Sequence, residues 1–244
     1  MLGKRLVLLA LLASSAGPVH HVRAEEPIEI FDAHLHYNWE PNPYLQPAEV
    51  FALFKKNRVT GILATSRPNV GTNALLDAKP EGLWIVPFIR PYRVRADIAS
   101  WMGDPSIYDL VQEEYKRGTY RGIGEFHLSG KAAANAWVKR TVDFAVEKGL
   151  FLHCHCDAEA LEILYGHNPK ARIVWAHTGF SLEPDRVAAL LAKYSQLWGE
   201  LSYRGLHRRR IRQSDGRVAR PVHQIRRPVP DRLRHLDQRA LGEL

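Results

Sequence analysis

Cysteine is nearly absent. Cys154 and Cys156 are the two cysteines in 244 residues, so the chain has no disulfide framework of the kind that staples small secreted domains. They stand two apart at an expected strand, and neighbours at that spacing rarely meet disulfide geometry. They are therefore read as small packing residues rather than a bridge. Long apolar runs are missing too. The run at residues 6–13 is too short to cross a bilayer as a helix. Lys4 and Arg5 precede it and Val22-Arg23-Ala24 follows, which makes residues 1–24 a secretory leader and the mature chain an exported, periplasmic or secreted protein. An uncleaved anchor is the alternative. No membrane span is expected once the leader is removed.

A charge excess is also missing from most of the chain, although the formal net charge is +8. Residues 207–244 hold eleven Arg, no Lys and four acidic residues, so that segment carries +7 and the rest only +1. A near-neutral body lacks the basic footprint of a nucleic-acid binder, so no nucleic-acid partner is expected and a small-molecule substrate is. The basicity belongs to the tail.

What is present is a repeating alternation. Expected strands at 28–36, 59–66, 83–90, 122–127, 150–155, 172–177 and 197–203 alternate with expected helices at 47–57, 73–78, 96–102, 107–116, 131–148, 157–165 and 183–194. In the helix at 131–148, Ala134, Val138, Val142 and Val146 stand four apart and Gly149 supplies a stop. Strands alternating with helices imply a parallel sheet with right-handed crossovers, and eight such units make a TIM (β/α)8 barrel. Seven are evident, so the fold class is an α/β, TIM-type barrel that is incomplete, with strand eight not found. A doubly wound sheet is the alternative; it would carry a Gly-rich phosphate turn after its first strand, and that place holds Asp32-x-His34-x-His36 instead.

Those three residues lie on one strand face, because side chains alternate with period two. Between leader and tail there are seven histidines, and six of them (His34, His36, His127, His153, His155 and His177) stand at the C-terminal ends of expected strands; His167 falls in a loop. Glu125 shares a face with His127, and His153 with His155. A barrel brings those ends to one mouth. Imidazoles with a carboxylate suit a divalent metal, zinc foremost with manganese or iron as alternatives, as one ion or two.

Four motifs, Phe-Asp-Ala-His-Leu-His (31–36), Gly-Ile-Gly-Glu-Phe-His (122–127), Leu-His-Cys-His-Cys-Asp (152–157) and Val-Trp-Ala-His-Thr-Gly (174–179), resemble the amidohydrolase superfamily of metal-dependent hydrolases. The resemblance covers residues 28 to about 204 and is greatest to the amidohydrolase-related group, which includes hydrolases, lactonases and nonoxidative decarboxylases. The Gly-Glu of strand four and the Leu-His-x-x-x-Asp of strand five are similar to TatD-like deoxyribonucleases as well. The resemblance implies that His34, His36, Glu125, His153 and His177 hold or adjoin the metal, with His177 also catalytic. It implies a metal-activated water acting on an amide, ester or lactone, the ion lowering the pKa of water from about 15.7 to about 7. His127 and His155 are open to roles as further ligands, substrate contacts or hydrogen-bonded neighbours, and Asp32 is expected to be structural. Arg67, Arg90, Arg93 and Arg204 fall at or past strand ends and suit an anionic substrate.

The family's strand-eight aspartate is not evident. Asp215 and Asp237 sit in contexts that are not strand-like. The arginine-rich segment from about residue 206 reads as non-native to the fold, as from a shifted reading frame, which would leave a catalytically impaired barrel. A genuine disordered basic tail is the alternative.

Overall fold

The computed structural model describes residues 28–180 and 182–202. The leader, Arg204 and the arginine-rich segment lie outside the described residues. Strands β1 (Ile30–His36), β2 (Val59–Thr65), β3 (Trp84–Ile89), β4 (Gly122–Leu128), β5 (Phe151–Cys156), β6 (Arg172–Trp175) and β7 (Leu197–Gly199) form one sheet in sequential order. Every neighbouring pair is parallel. Helices α1 (Pro47–Lys56), α2 (Val70–Asp77), α3 (Pro105–Tyr115), α4 (Ala136–Glu147), α5 (Ala158–His167) and α6 (Pro184–Lys193) fill the crossovers.

A flat sheet of seven strands would hold its edges roughly 29 Å apart, at about 4.8 Å per spacing. Instead His34 of β1 meets Glu200, just past β7, at 2.8 Å. The sheet is therefore curled into an incomplete TIM-type barrel, as the alternation implies.

Local chemistry sets the helix ends. α3 begins with Asp104 accepting from the Ser106 N–H at 2.9 Å, with Pro105 as first residue. α5 begins with Asp157 accepting from the Ala160 N–H at 2.8 Å. The helix expected over 131–148 is interrupted. A 3-10 turn over Gly130–Ala134 precedes α4, because Asn135 is extended (φ −61°, ψ 143°) and its side chain caps the Trp137 N–H at 2.9 Å. The segment expected as a helix over 96–102 is two 3-10 turns, Arg95–Ala99 and Trp101–Gly103. There the Asp97 carboxylate takes the Arg93 and Val94 N–H groups at 2.6 and 3.2 Å, competing with helical bonding. His167 ends α5 rather than lying in a loop, its Nε2 against the Ala133 carbonyl oxygen at 2.8 Å.

The main core lies where β4, β5 and β6 meet α3 to α6. Ile123, Phe126, Leu152, Leu161, Leu164, Ile173 and Trp175 are buried there, each side chain of that size contributing about 1.5–3 kcal/mol by leaving water. A smaller cluster of Tyr37, Val50, Ile62, Ala64 and Leu75 supports β1 and β2. Gly61 is required in β2 because a Cβ there would run into the Phe31 ring of β1, its neighbour in register.

The cysteine expectation is corrected. Cys154 and Cys156 are buried and joined as a disulfide. They share one face of β5, and their Cα atoms stand 5.4 Å apart, closer than the roughly 6.8 Å of two fully extended strand residues. This local contraction of the strand is what brings the two side chains together. Among the described residues no helix is long and apolar enough to cross a membrane.

Candidate metal centre

Glu125 is the centre of the site. On β4, Gly124 pairs with His153 and Phe126 with Cys154, so Glu125 is the extra residue of a bulge, a device that re-aims a side chain. Gly124 makes this turn of the chain because its φ is +134° and a Cβ would run into the His153 carbonyl oxygen. The result is a carboxylate 2% exposed and surrounded by nitrogen. Its Oε1 lies 2.9 Å from His155 Nδ1, 3.4 Å from His34 Nε2 and 3.6 Å from His177 Nε2. Its Oε2 lies 3.0 Å from His36 Nε2 and 3.1 Å from an Arg90 guanidinium nitrogen. Burial by itself raises a carboxyl pKa, but the imidazole donors of His155, His177, His34 and His36 hold Glu125 well below the usual carboxylate range.

β1 supplies the two neighbouring imidazoles. His34 and His36 lie one pleat apart with their Nε2 atoms 3.0 Å from each other. Both rings are held from behind. His34 Nδ1 faces Glu200 at 2.8 Å, and His36 Nδ1 faces Thr65 Oγ1 at 2.7 Å and Arg90 at 3.0 Å. Burial lowers the His34 pKa, but hydrogen bonds to Glu125 and Glu200 outweigh it and push His34 up to about 9. Burial lowers His36, and the Arg90 charge adds to that. Asp32 accepts from the His34 backbone N–H at 3.0 Å, a contact internal to the strand.

His153 on β5 is fully buried, and neither of its ring nitrogens has a hydrogen-bond partner among the described residues. Burial drives its pKa down to about 3, so it presents a neutral ring 4.6 Å from that of His34. His127 and His155 are cross-strand partners of β4 and β5 with rings 4.1 Å apart. Tyr92, fully buried, stands 3.0 Å from His127 Nδ1. Burial lowers His127 to about 4.

His177 is not on its strand. β6 stops at Trp175, and His177 and Thr178 both take left-handed backbone (φ 54° and 45°). Two consecutive non-glycine residues there, one β-branched, cost about 1–3 kcal/mol each and occur mainly at functional sites. The turn is held by Glu200, whose carboxylate accepts the His177 N–H at 3.0 Å and whose carbonyl oxygen accepts from the Thr178 hydroxyl at 2.5 Å.

The structure gives the three described arginines partners within the protein. Arg90 enters the site, buried, but its guanidinium is bound to Glu125, His36 and Asn38. Arg67 is engaged by Glu40 at 2.6 Å. Arg93 turns to Asp97 and Asp104 at 3.0 and 2.8 Å rather than to the histidines. Each of these three has a carboxylate beside it. Arg204 is outside the described residues. Sequence reasoning missed Glu200, Ser202 and Tyr92. Glu200 had a readable signal, since Gly199-Glu200 repeats at the end of strand seven the Gly-Glu pair within strand four.

The donor set fits a divalent cation. A tetrahedral ion with ligands at about 2.0–2.1 Å has ligand–ligand edges of roughly 3.3 Å. Glu125 Oε1 lies 3.4 Å from His34 Nε2 and 3.6 Å from His177 Nε2, while His36 Nε2 lies 3.0 Å from His34 Nε2 and 3.0 Å from the other Glu125 oxygen, Oε2. Three overlapping His/Glu groups can each hold an ion: His34, Glu125 and His177; His34, His153 and Glu200; and Glu125, His127 and His155. The orphaned His153 ring points the same way, since a buried ring nitrogen without a partner is costly unless a ligand takes it.

No protein-family model and no curated protein matches the chain. Among solved structures it is similar to one titled "Amidohydrolase 2 from Bifidobacterium longum subsp. infantis", with 14% identity and a TM-score of 0.45, over 72% of this chain and 74% of that one.

Proposed function

We propose that this chain is an exported metal-dependent hydrolase of the amidohydrolase type, cleaving an amide, ester or lactone bond in a small molecule. The observation that carries the reading is one buried carboxylate with four imidazole nitrogens within 3.6 Å of it, at the mouth of a parallel barrel. His34, His36 and Glu125 would hold the cation, zinc foremost, with His153 beside them. A divalent ion held there would polarise a carbonyl and make a water acidic enough to ionise near neutral pH. Arg90 and His36 fix one oxygen of Glu125, leaving the other turned toward His34, His155 and His177. His177 is the proton acceptor, its Nδ1 held by Ser202 Oγ at 2.8 Å and its Nε2 facing Glu125. It then returns that proton to the leaving atom. His36 and His155, whose side chains are 29% and 28% exposed, line the entrance, with the Phe180 ring tilted against those of His155 and His177.

The test is metal content. The purified chain should carry about one equivalent of zinc or more, and the H34A/H36A double variant should carry none. Equal metal in both would refute the site. Hydrolysis of a panel of simple amides, esters and lactones, abolished by a chelator and restored by zinc, would identify the bond class.

A second reading, of a catalytically impaired barrel, is favoured by one observation. Among the described residues β1 and β7 each have a single neighbour and no eighth strand lies between them. Resequencing the gene decides it. An alternative frame after codon 205 that encodes an apolar strand ending in Asp supports impairment; its absence removes that reading.

A further inference from the structure

Glu200 is 8% exposed and lies one residue beyond β7. It is the most heavily bonded carboxylate near the site after Glu125. Its Oε2 accepts from His34 Nδ1 at 2.8 Å, from the His177 backbone N–H at 3.0 Å and from Ser202 Oγ at 2.9 Å. Its Oε1 accepts from the Ser202 N–H. Burial raises its pKa, but these donors outweigh burial and hold the carboxyl well below its usual range. With both oxygens engaged it is poorly placed to take a proton from water. One group, with His34 and His153, would instead make it a ligand itself.

We infer that Glu200 is a positioning residue of the metal centre, fixing His34 with its proton on Nδ1 so that Nε2 points at His36 and Glu125, and clamping the left-handed turn that carries His177. The carboxylate reaches His34 across the gap between β1 and β7, so no backbone ladder performs that task. A carboxylate behind a ligating histidine fixes ring orientation and raises ligand basicity, and its loss typically costs about 10–100-fold in metal affinity. The inference rests on the metal reading above.

The experiment measures zinc affinity of the full chain by competition with a chromophoric chelator, for the unchanged protein, E200A and E200Q, with far-UV circular dichroism as a check on folding. The E200Q amide oxygen still accepts from His34 Nδ1–H, so a positioning role predicts a loss of about 10–100-fold for E200A and a clearly smaller one for E200Q. Equal losses for the two variants would make Glu200 a ligand and overturn the inference, and so would affinity unchanged in E200A. If E200A does not fold, E200Q decides by nitrogen-15 histidine spectra of the zinc-loaded protein. A His34 proton retained on Nδ1 supports positioning, and its loss with zinc still bound refutes it. An unchanged chain that binds no zinc overturns the metal reading and this inference together, whereas bound zinc with unaltered E200A affinity overturns this inference alone.

Discussion

Arg90 and Glu125 are both buried and face each other at 3.1 Å, yet they do not depend on each other equally. Replacing Glu125 as E125Q removes the carboxylate facing the Arg90 guanidinium and leaves it, among the described residues, with neutral acceptors: the Gln oxygen, His36 Nδ1 and the Asn38 amide oxygen, while its Nε is already without a partner among the described residues. Breaking a buried pair from that side costs about 3–5 kcal/mol, because a buried cation loses its counter-charge. Removing Arg90 as R90M takes one donor from Glu125 but leaves the imidazoles of His34, His36, His155 and His177. That loss is about 1.5–3 kcal/mol, the value of one charge-assisted hydrogen bond. For a domain of this size each kcal/mol moves the midpoint by about 2–4 °C. Thermal melts of the chelator-treated chain should therefore show E125Q shifted further down than R90M, by roughly 4–8 °C if the two costs differ by about 2 kcal/mol. An R90M midpoint at or below that of E125Q would refute the asymmetry and with it the view that imidazoles are the main support of Glu125.

Gly124→Ala should be far more damaging than Gly118→Ala, although both residues have positive φ. At Gly118 a Cβ meets nothing within 4 Å, so only the backbone penalty of about 1 kcal/mol applies, whereas at Gly124 it strikes the His153 carbonyl oxygen and must push β4 from β5. Comparable melting midpoints for the two would refute the packing argument. The leader should be removed on export, so N-terminal sequencing of secreted protein should begin at about residue 25, and recovery of Met1 in that material would sink the export reading.

How much of this was legible in the sequence depends on whether a residue's role is set by period or by geometry. Asp32-x-His34-x-His36 was readable because strand alternation alone puts both rings on one face. The parallel order was readable because helices separate every strand. Glu125 was legible as a strand-four carboxylate on the face of His127, but the bulge that turns it into the cluster was not, since nothing in the local sequence distinguishes Gly124 beside a bulge from Gly124 as an ordinary strand residue. His177 was placed on strand six because its neighbours Val174, Trp175 and Ala176 are apolar. The left-handed turn depends on Glu200, more than twenty residues later in the chain, and long-range bonds of that kind leave no periodic trace. The partners of the arginines were illegible for a related reason. A strand-end guanidinium looks free in sequence, and only the fold shows Glu40, Glu125, Asp97 and Asp104 already beside three of them.

Site and fold are joined at the gap between the edge strands. Among the described residues, β1 and β7 are bridged by side chains, through His34 to Glu200 at 2.8 Å and His34 to Ser202 at 3.3 Å. A ladder of backbone bonds would tolerate loss of a single pair, but these few polar contacts would not. The same His34 is the centre of the donor set for a cation, together with Glu125 from the middle of the sheet. A bound ion would therefore tie the edge to the centre, and its binding energy would count toward keeping the sheet curled. By mass action a ligand that binds only the folded state adds about 2.7 kcal/mol at a hundred times its Kd, worth roughly 5–11 °C in the melting midpoint of a domain this size. Zinc should raise the midpoint of the unchanged chain by such an amount and leave H34A/H36A where it was. A midpoint unmoved by zinc in the unchanged chain would mean that zinc does not bind the folded chain in preference to the unfolded one, and would refute the centre.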